Sequence, residues 1–339
     1  MRTREGRRDL LFICILTVVL LALLLLSFGL GRYAVPPAEV IRILLSRIFP
    51  VTPSWTEQME TAVISIRLPR ILLACMVGGC LSAAGTAYQS VFRNPMAAPD
   101  ILGASSGACF GAALAILLGF SRSGVTALAF VSSLLSVALV YDIARRAKGN
   151  PVTMLLLAGV MIGSLFSACT SYVKLVADPT NQLPAITYWL MGSLSGTRMN
   201  AVGFAAVPML IGLAPLLALR WRINLLTLDE EEARSMGVNT GRLRLVVILC
   251  ATVLTAACVA VSGMIGWVGL VIPHLSRKLV GSNCRYLLPA STIFGAIFLL
   301  LVDNISRNLL ATEIPIGILT AFVGAPFFLY LMTRKEQLL

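Results

Sequence analysis

The sequence predicts an all-α integral membrane protein with about ten transmembrane helices, and three observations carry that expectation. Of its 339 residues, 58% are hydrophobic and only 12% charged, about half the ~25% charge of a soluble domain. The apolar residues fall in unbroken blocks, among them Leu10 to Leu30, Val125 to Tyr141 and Leu243 to Val261, each near the ~20 residues that a bilayer-spanning helix needs. The stretches between blocks are short, so residues 1–339 read as a single transmembrane domain. This composition excludes a soluble globular protein, a disordered chain, a disulfide scaffold and a nucleic-acid binder.

In chain order, the basic stretch from Arg2 to Arg8 precedes an apolar run too long for a signal-peptide core, with no A-x-A site after it, and reads as a retained first span. Splitting at charges, prolines and glycine clusters gives spans near 10–30, 63–88, 100–119, 124–143, 152–175, 200–219, 243–262, 264–280, 286–307 and 316–333. The fourth and seventh are the clearest. The eighth contains Pro273, His274, Arg277 and Lys278, which predicts a short or broken helix. Asn94-Pro95 and Gly103 predict an irregular break before the third span. Small residues recur every four positions at Gly103, Gly107 and Gly111, then at Gly159 and Gly163, a pattern that lets helices approach closely in lipid. The longest non-spanning stretches are residues 31–62 and 220–242.

The net charge of +12 is first of all a topology signal, because cytoplasmic loops retain Lys and Arg. Placing both termini inside puts about two thirds of the 27 lysines and arginines on the cytoplasmic side. Arg32, Arg42, Arg47, Arg67, Arg70, Arg122, Lys174, Arg198 and Arg307 remain outside. Cys284 lies in a polar loop; the other cysteines sit in apolar runs without a C-x-x-C pair and read as packing residues. There is no G-x-x-x-x-G-K-[ST] phosphate loop, and His274 is the single histidine, so neither nucleotide hydrolysis nor a multi-histidine metal centre is expected.

Two segments could carry mechanism. From Leu225 to Arg244, Asp229, Glu230, Glu231 and Glu232 cluster at a helix start with Thr227 placed as cap, and Arg234 and Gly237 read as the end. Such a short amphipathic helix is either a docking surface for a soluble partner or a solvated loop helix. On the fifth span Ser164, Ser167 and Ser171 share a face, as do Gly317, Thr320 and Gly324 on the tenth. These faces line a conduit or serve helix packing.

The stretch IRLPRILLACMVGGCLSAAGTAYQSVFRNPMAAPDILGASSGA, Ile66 to Ala108, resembles the signature of FecCD-type permeases, the membrane subunits of ABC importers for iron–siderophore complexes, haem and cobalamin. YWLMGSLSG (Tyr188 to Gly196), ARSMGV in the inner segment, SGMIGWVGLVIPHLSRKLVGSNCRYLLPAS (Ser262 to Ser291), DNISR (Asp303 to Arg307) and EIPIGILTAFVGAPFFLYLM (Glu313 to Met332) match in the same order. The resemblance implies a type II ABC importer permease bundle in a bacterial cytoplasmic membrane. Its implied partners are membrane lipid, a second permease copy (identical or a close paralogue), two cytoplasmic ATPase subunits that bind the ATP and Mg, and an extracytoplasmic substrate-binding protein. No cofactor is implied in the chain itself.

On the same resemblance, Leu228, Asp229, Glu230, Glu232, Ala233, Arg234, Met236 and Gly237 couple to the ATPase, and Arg67, Arg70 and Arg307 receive surface glutamates of the binding protein. The competing reading pairs Arg307 with Asp303 one turn earlier and gives Arg67 and Arg70 to lipid headgroups. The family lines its path with the fifth and tenth helices, which places Ser164, Ser167, Ser171, Gly317, Thr320 and Gly324 there. A metal chelate is the implied cargo, a ferric siderophore foremost, with haem, cobalamin and molybdate as alternatives. The rival from another class, an ion-gradient-driven transporter, would place ionisable residues near mid-membrane, where these spans have almost none.

Overall fold

The computed structural model describes residues 2–50, 52–228, 232 and 235–333. Its long helices are α1 (Arg2–Gly29), α3 (Glu57–Val91), α5 (Arg122–Arg146), α6 (Pro151–Val176), α8 (Met199–Ile223), α9 (Thr240–Ser262) and α11 (Cys284–Asn308). Shorter helices are α2 (Pro37–Leu45), α4 (Ala104–Leu117), α7 (Gln182–Leu190), α10 (Val268–Val280) and α12 (Ile316–Thr333). There is no strand among the described residues. Each of the ten expected spans coincides with a helix; α2 and α7 are additional, too short to give a span-length apolar signal.

Asparagine and serine side chains set several helix starts. Asn150 accepts the Val152 N–H at 2.9 Å, Asn239 that of Arg242 at 3.0 Å, and Asn283 that of Arg285 at 3.0 Å, each satisfying one of the orphan donors of a first turn. At the start of α7, Asp178 accepts from the Thr180 hydroxyl at 2.8 Å and the Asn181 N–H at 2.7 Å. These bonds hold its carboxyl below the usual range.

Helix α3 is the axis of the bundle. In its most apolar window 83% of residues are buried, against 11% in α1 and 28% in α6 and in α8. It packs on α11 through glycine: a Cβ added at Gly78 would strike the Gly295 carbonyl, and one at Gly295 would strike that of Gly78. Without hydrophobic driving force inside lipid, such close approach is what lets dispersion hold two helices together. The expected small-residue faces are also contact faces, with Gly107 and Gly111 against Ser132, Ser136 and Leu128 of α5, and Gly159 against the Ile101 carbonyl.

Two irregular segments interrupt the bundle. Between α3 and α4, Asn94 opens a turn, Pro99–Leu102 form a 3-10 turn, and Gly103 adopts φ +73°. Ahead of α10 the break falls at residues 263–267, upstream of Pro273, which α10 accommodates near its middle. Here the backbone groups are paired in protein, as membrane depth requires: the Ser193 N–H donates to Ser262 at 2.7 Å and that of Ile316 to Gly192 at 2.9 Å. Trp267 closes the break at φ +70°, a left-handed conformation that bulky residues rarely adopt.

Candidate functional site

The polar side chains concentrate at the two ends of the bundle. The end carrying Arg70 is termed upper and the end carrying Arg93 lower. At the upper end the π-helical turn Thr61–Arg67 leads into the α-helical part of α3, so that Arg67 and Arg70, three residues apart, face the interior together. Arg70 Nε donates to Asp303 Oδ1 at 2.8 Å, and its Nη1 donates to both Glu313 oxygens at 2.8 and 2.9 Å. Arg307 Nε lies 3.5 Å from Asp303 Oδ2, and its Nη2 donates to the Ser27 carbonyl at 3.2 Å and to Asn304 Oδ1. Arg67 donates to the carbonyls of Phe28 and Tyr33.

Asp303 is 0% exposed, and Arg67, Arg70 and Arg307 are 4%, 6% and 8% exposed. In the single chain each guanidinium is therefore buried and bonded internally. The physical reason is that a cation in the bundle needs compensation, and Asp303, Glu313 and the carbonyls ending α1 supply it. The pairing of Arg307 with Asp303 holds, but Arg67 and Arg70 are turned to the protein interior. Sequence reasoning missed Glu313, whose partner lies 243 residues away.

At the lower end, Arg93 adopts φ +49° where the chain leaves α3. Its Nε donates to the Leu226 carbonyl at 2.9 Å and its Nη2 to that of Leu228. Asn224 bonds Asn283 and the backbone N–H of Cys284 at 2.9 and 2.7 Å. The segment following α8 is thereby tied both to the end of α3 and to the start of α11. Thr227 ends the 3-10 turn Asn224–Thr227, and its hydroxyl donates to the Asn224 carbonyl at 2.6 Å. Leu228 is extended, the Met236 N–H bonds Glu232 at 3.3 Å, and Gly237 takes φ +76°, a helix-ending conformation. Met236 is 61% exposed. Asp229, Glu230, Ala233 and Arg234 lie outside the described residues.

The two small-residue faces behave differently. Ser164, Ser167 and Ser171 are exposed on α6 and touch no other helix through hydrogen bonds; Ser164 and Ser171 donate to carbonyls of their own helix at 2.8 and 3.0 Å. On α12, Thr320 is fully buried, Gly324 packs under the Trp267 ring, and Gly317 abuts the Met191 and Met264 carbonyls. On this second face Thr320 and Gly324 make packing contacts in the single chain. Gly317 also borders an apolar cavity of about 530 Å3 beside Met191, Met264, Trp267 and Phe322.

Among the described residues seven helices are long and apolar enough to cross a membrane, and the bundle they form carries a buried charge cluster at one end and a backbone-anchored segment at the other, as a polytopic membrane protein does. The chain belongs to the FecCD transport family, whose pattern matches residues 19–334. It is 42% identical over 322 residues to the molybdate import system permease protein of Haemophilus influenzae, covering 95% of each chain. It is 39% identical to the Fe(3+)-citrate import system permease protein of Bacillus subtilis, over 99% of this chain and 98% of the relative. Among solved structures, one described as an inward-facing conformation of a metal-chelate type ABC transporter superposes with a TM-score of 0.85 at 41% identity, covering 94% of this chain and 98% of that one.

Proposed function

We propose that this chain is the membrane-spanning permease of a binding-protein-dependent ABC importer, and that it carries a ferric chelate of the siderophore class across the bacterial cytoplasmic membrane. The observation that carries this reading is the likeness to importer permeases over nearly the whole chain. ATP and Mg belong to two separate ATPase subunits, and the permease itself forms no bonds. Its work is a bias between two conformations set by partners on each face. The lower end is cytoplasmic, with both termini there.

Leu228 to Gly237 is the segment on which the ATPases act. Arg93 and Asn224 support that role, because they pass displacement of the segment into α3 and α11. Those two helices are packed through Gly78 and Gly295 and joined again at the upper end by Arg70 and Asp303. They would move as one strut while α6, with its exposed Ser164, Ser167 and Ser171, faces the conduit and a second permease copy. At the upper rim Glu313, 29% exposed, is the part of the charge cluster that reaches toward a binding protein.

A second reading, molybdate as cargo, is favoured by the identity to the Haemophilus influenzae permease. The experiment is uptake into vesicles holding the permease, its ATPase and its binding protein, offered labelled ferric siderophore and labelled molybdate. Accumulation of the ferric chelate is expected; accumulation of molybdate alone would transfer the assignment to the second reading.

A further inference from the structure

Helix α2 and the turn that follows it divide their side chains among three sides. Val40 and Ile43 are buried in the core with Phe28 and Val63, which seats α2 against α1 and the π-helical turn of α3. On a second side Glu39 and Arg42 are stitched to Ser54. Arg42 Nη1 donates to Glu39 Oε1 at 3.1 Å and to the Ser54 hydroxyl at 2.9 Å, and that hydroxyl donates to Glu39 Oε2 at 2.9 Å. The third side is apolar and open. Ile41, Leu45, Ile48 and Phe49 are exposed, Ile48 by 75%, and their spacing of i, i+4, i+7 and i+8 places them on one helical face. The register persists past Leu45, because the Phe49 N–H donates to the Leu45 carbonyl at 2.9 Å. Large apolar side chains exposed in a row mark a contact surface.

We propose that this face is an in-plane membrane anchor, sunk into the lipid leaflet at the upper end of the bundle. Lipid is the occupant because of where the face lies. Helix α1, on which α2 packs, is only 11% buried in its most apolar window, and the exposed Leu25, Leu26 and Leu30 carry that apolar surface to the top of α1. Tyr33, exposed, and Trp55, half-buried with its Nε1 donating to Glu60 at 3.1 Å, flank the face; amphipathic rings of this kind sit at headgroup level. Arg42 and Arg47 are half-exposed beside it, and long cationic side chains lie along apolar surface with their heads toward water and headgroups. The anchor ends on α3: Arg47 and Trp55 both bond Glu60, one residue before the π-helical turn that leads to Arg67 and Arg70. Seating the face in lipid thereby fixes the height of that turn. The assignment requires only that the bundle spans a bilayer, and it is independent of the cargo.

The test uses the full-length permease with its ATPase and binding protein in vesicles of phosphatidylethanolamine and phosphatidylglycerol. Photoreactive benzoylphenylalanine is placed singly at Ile48, at Phe49 and, as a control, at Gln58, which is exposed at the top of α3. After irradiation, mass spectrometry should find phospholipid adducts at Ile48 and Phe49 at least about fivefold more often than at Gln58, since an in-plane helix holds its apolar face against acyl chains. A Phe49→Trp variant serves if the photoreactive chains do not assemble. Lipids brominated near the headgroup end of the acyl chain should quench the fluorescence that this tryptophan adds, and aqueous acrylamide should quench it little. Adducts to the binding protein or to a second permease chain in place of lipid would overturn the proposal, as would equal lipid labelling at Gln58. Added fluorescence quenched by acrylamide and untouched by brominated lipid would overturn it as well.

Discussion

At the upper end of the bundle Arg70 and Arg307 share a buried carboxylate, Asp303, whereas at the lower end Arg93 and Arg277 bond to carbonyl and amide oxygens. Both arrangements satisfy N–H donors, and the first also pairs charge with charge inside the bundle. A buried cation paired with a buried acid is committed, because separating them leaves one charge alone in a low-dielectric interior. A bond to a neutral acceptor is broken at a smaller cost. The upper cluster therefore reads as a brace between α1, α3, α11 and the approach to α12, and the lower bonds as a junction that ties the segment after α8 to α3.

Breaking the brace should have the largest effect. Asp303→Asn takes from Arg307 its carboxylate partner and leaves Arg70 with Glu313 alone, and should cost about 3–5 kcal/mol, seen as a large drop in the thermal unfolding midpoint of the purified permease. Glu313→Gln removes a partner that is partly exposed and should cost less, about 1–2 kcal/mol, measured in the same way. At the lower end Arg277→Gln should change stability by about 1 kcal/mol, because the bond it removes is to the neutral amide of Gln89. If it cost as much as Asp303→Asn, the contrast between the ends would be wrong. The smallest effect belongs to an exposed pair: Arg146→Ala, which breaks a contact with Asp142 four residues earlier, should cost about 0.3–0.5 kcal/mol.

The spans were legible because lipid imposes a length and a composition on each one, and the weak eighth span, expected to be short or broken, is a short helix that runs unbroken through Pro273. The position of the break at residues 263–267 was not legible. It depends on Trp267 being held at φ +70° against α12, a tertiary effect. Arg67, Arg70 and Arg307 were singled out because they oppose the charge bias of the loops, and the structure does gather them. Their burial was not readable, since Asp303 and Glu313 reach Arg70 from 233 and 243 residues away. The small-residue faces show the same limit. Ser164, Ser167 and Ser171 look like Gly317, Thr320 and Gly324 in pattern, yet one face is open and the other is largely closed by the Trp267 ring and the Met191 and Met264 carbonyls.

The central claim is that the bundle is driven from its lower end by ATP hydrolysed on other subunits. The most direct measurement is cargo uptake into sealed vesicles containing this chain, its ATPase and the binding protein, with ATP present and all ion gradients collapsed by ionophores. Uptake that persists under ionophores and disappears without the ATPase is the predicted result. Accumulation by this chain alone, dependent on an ion gradient and indifferent to ATP, would contradict it.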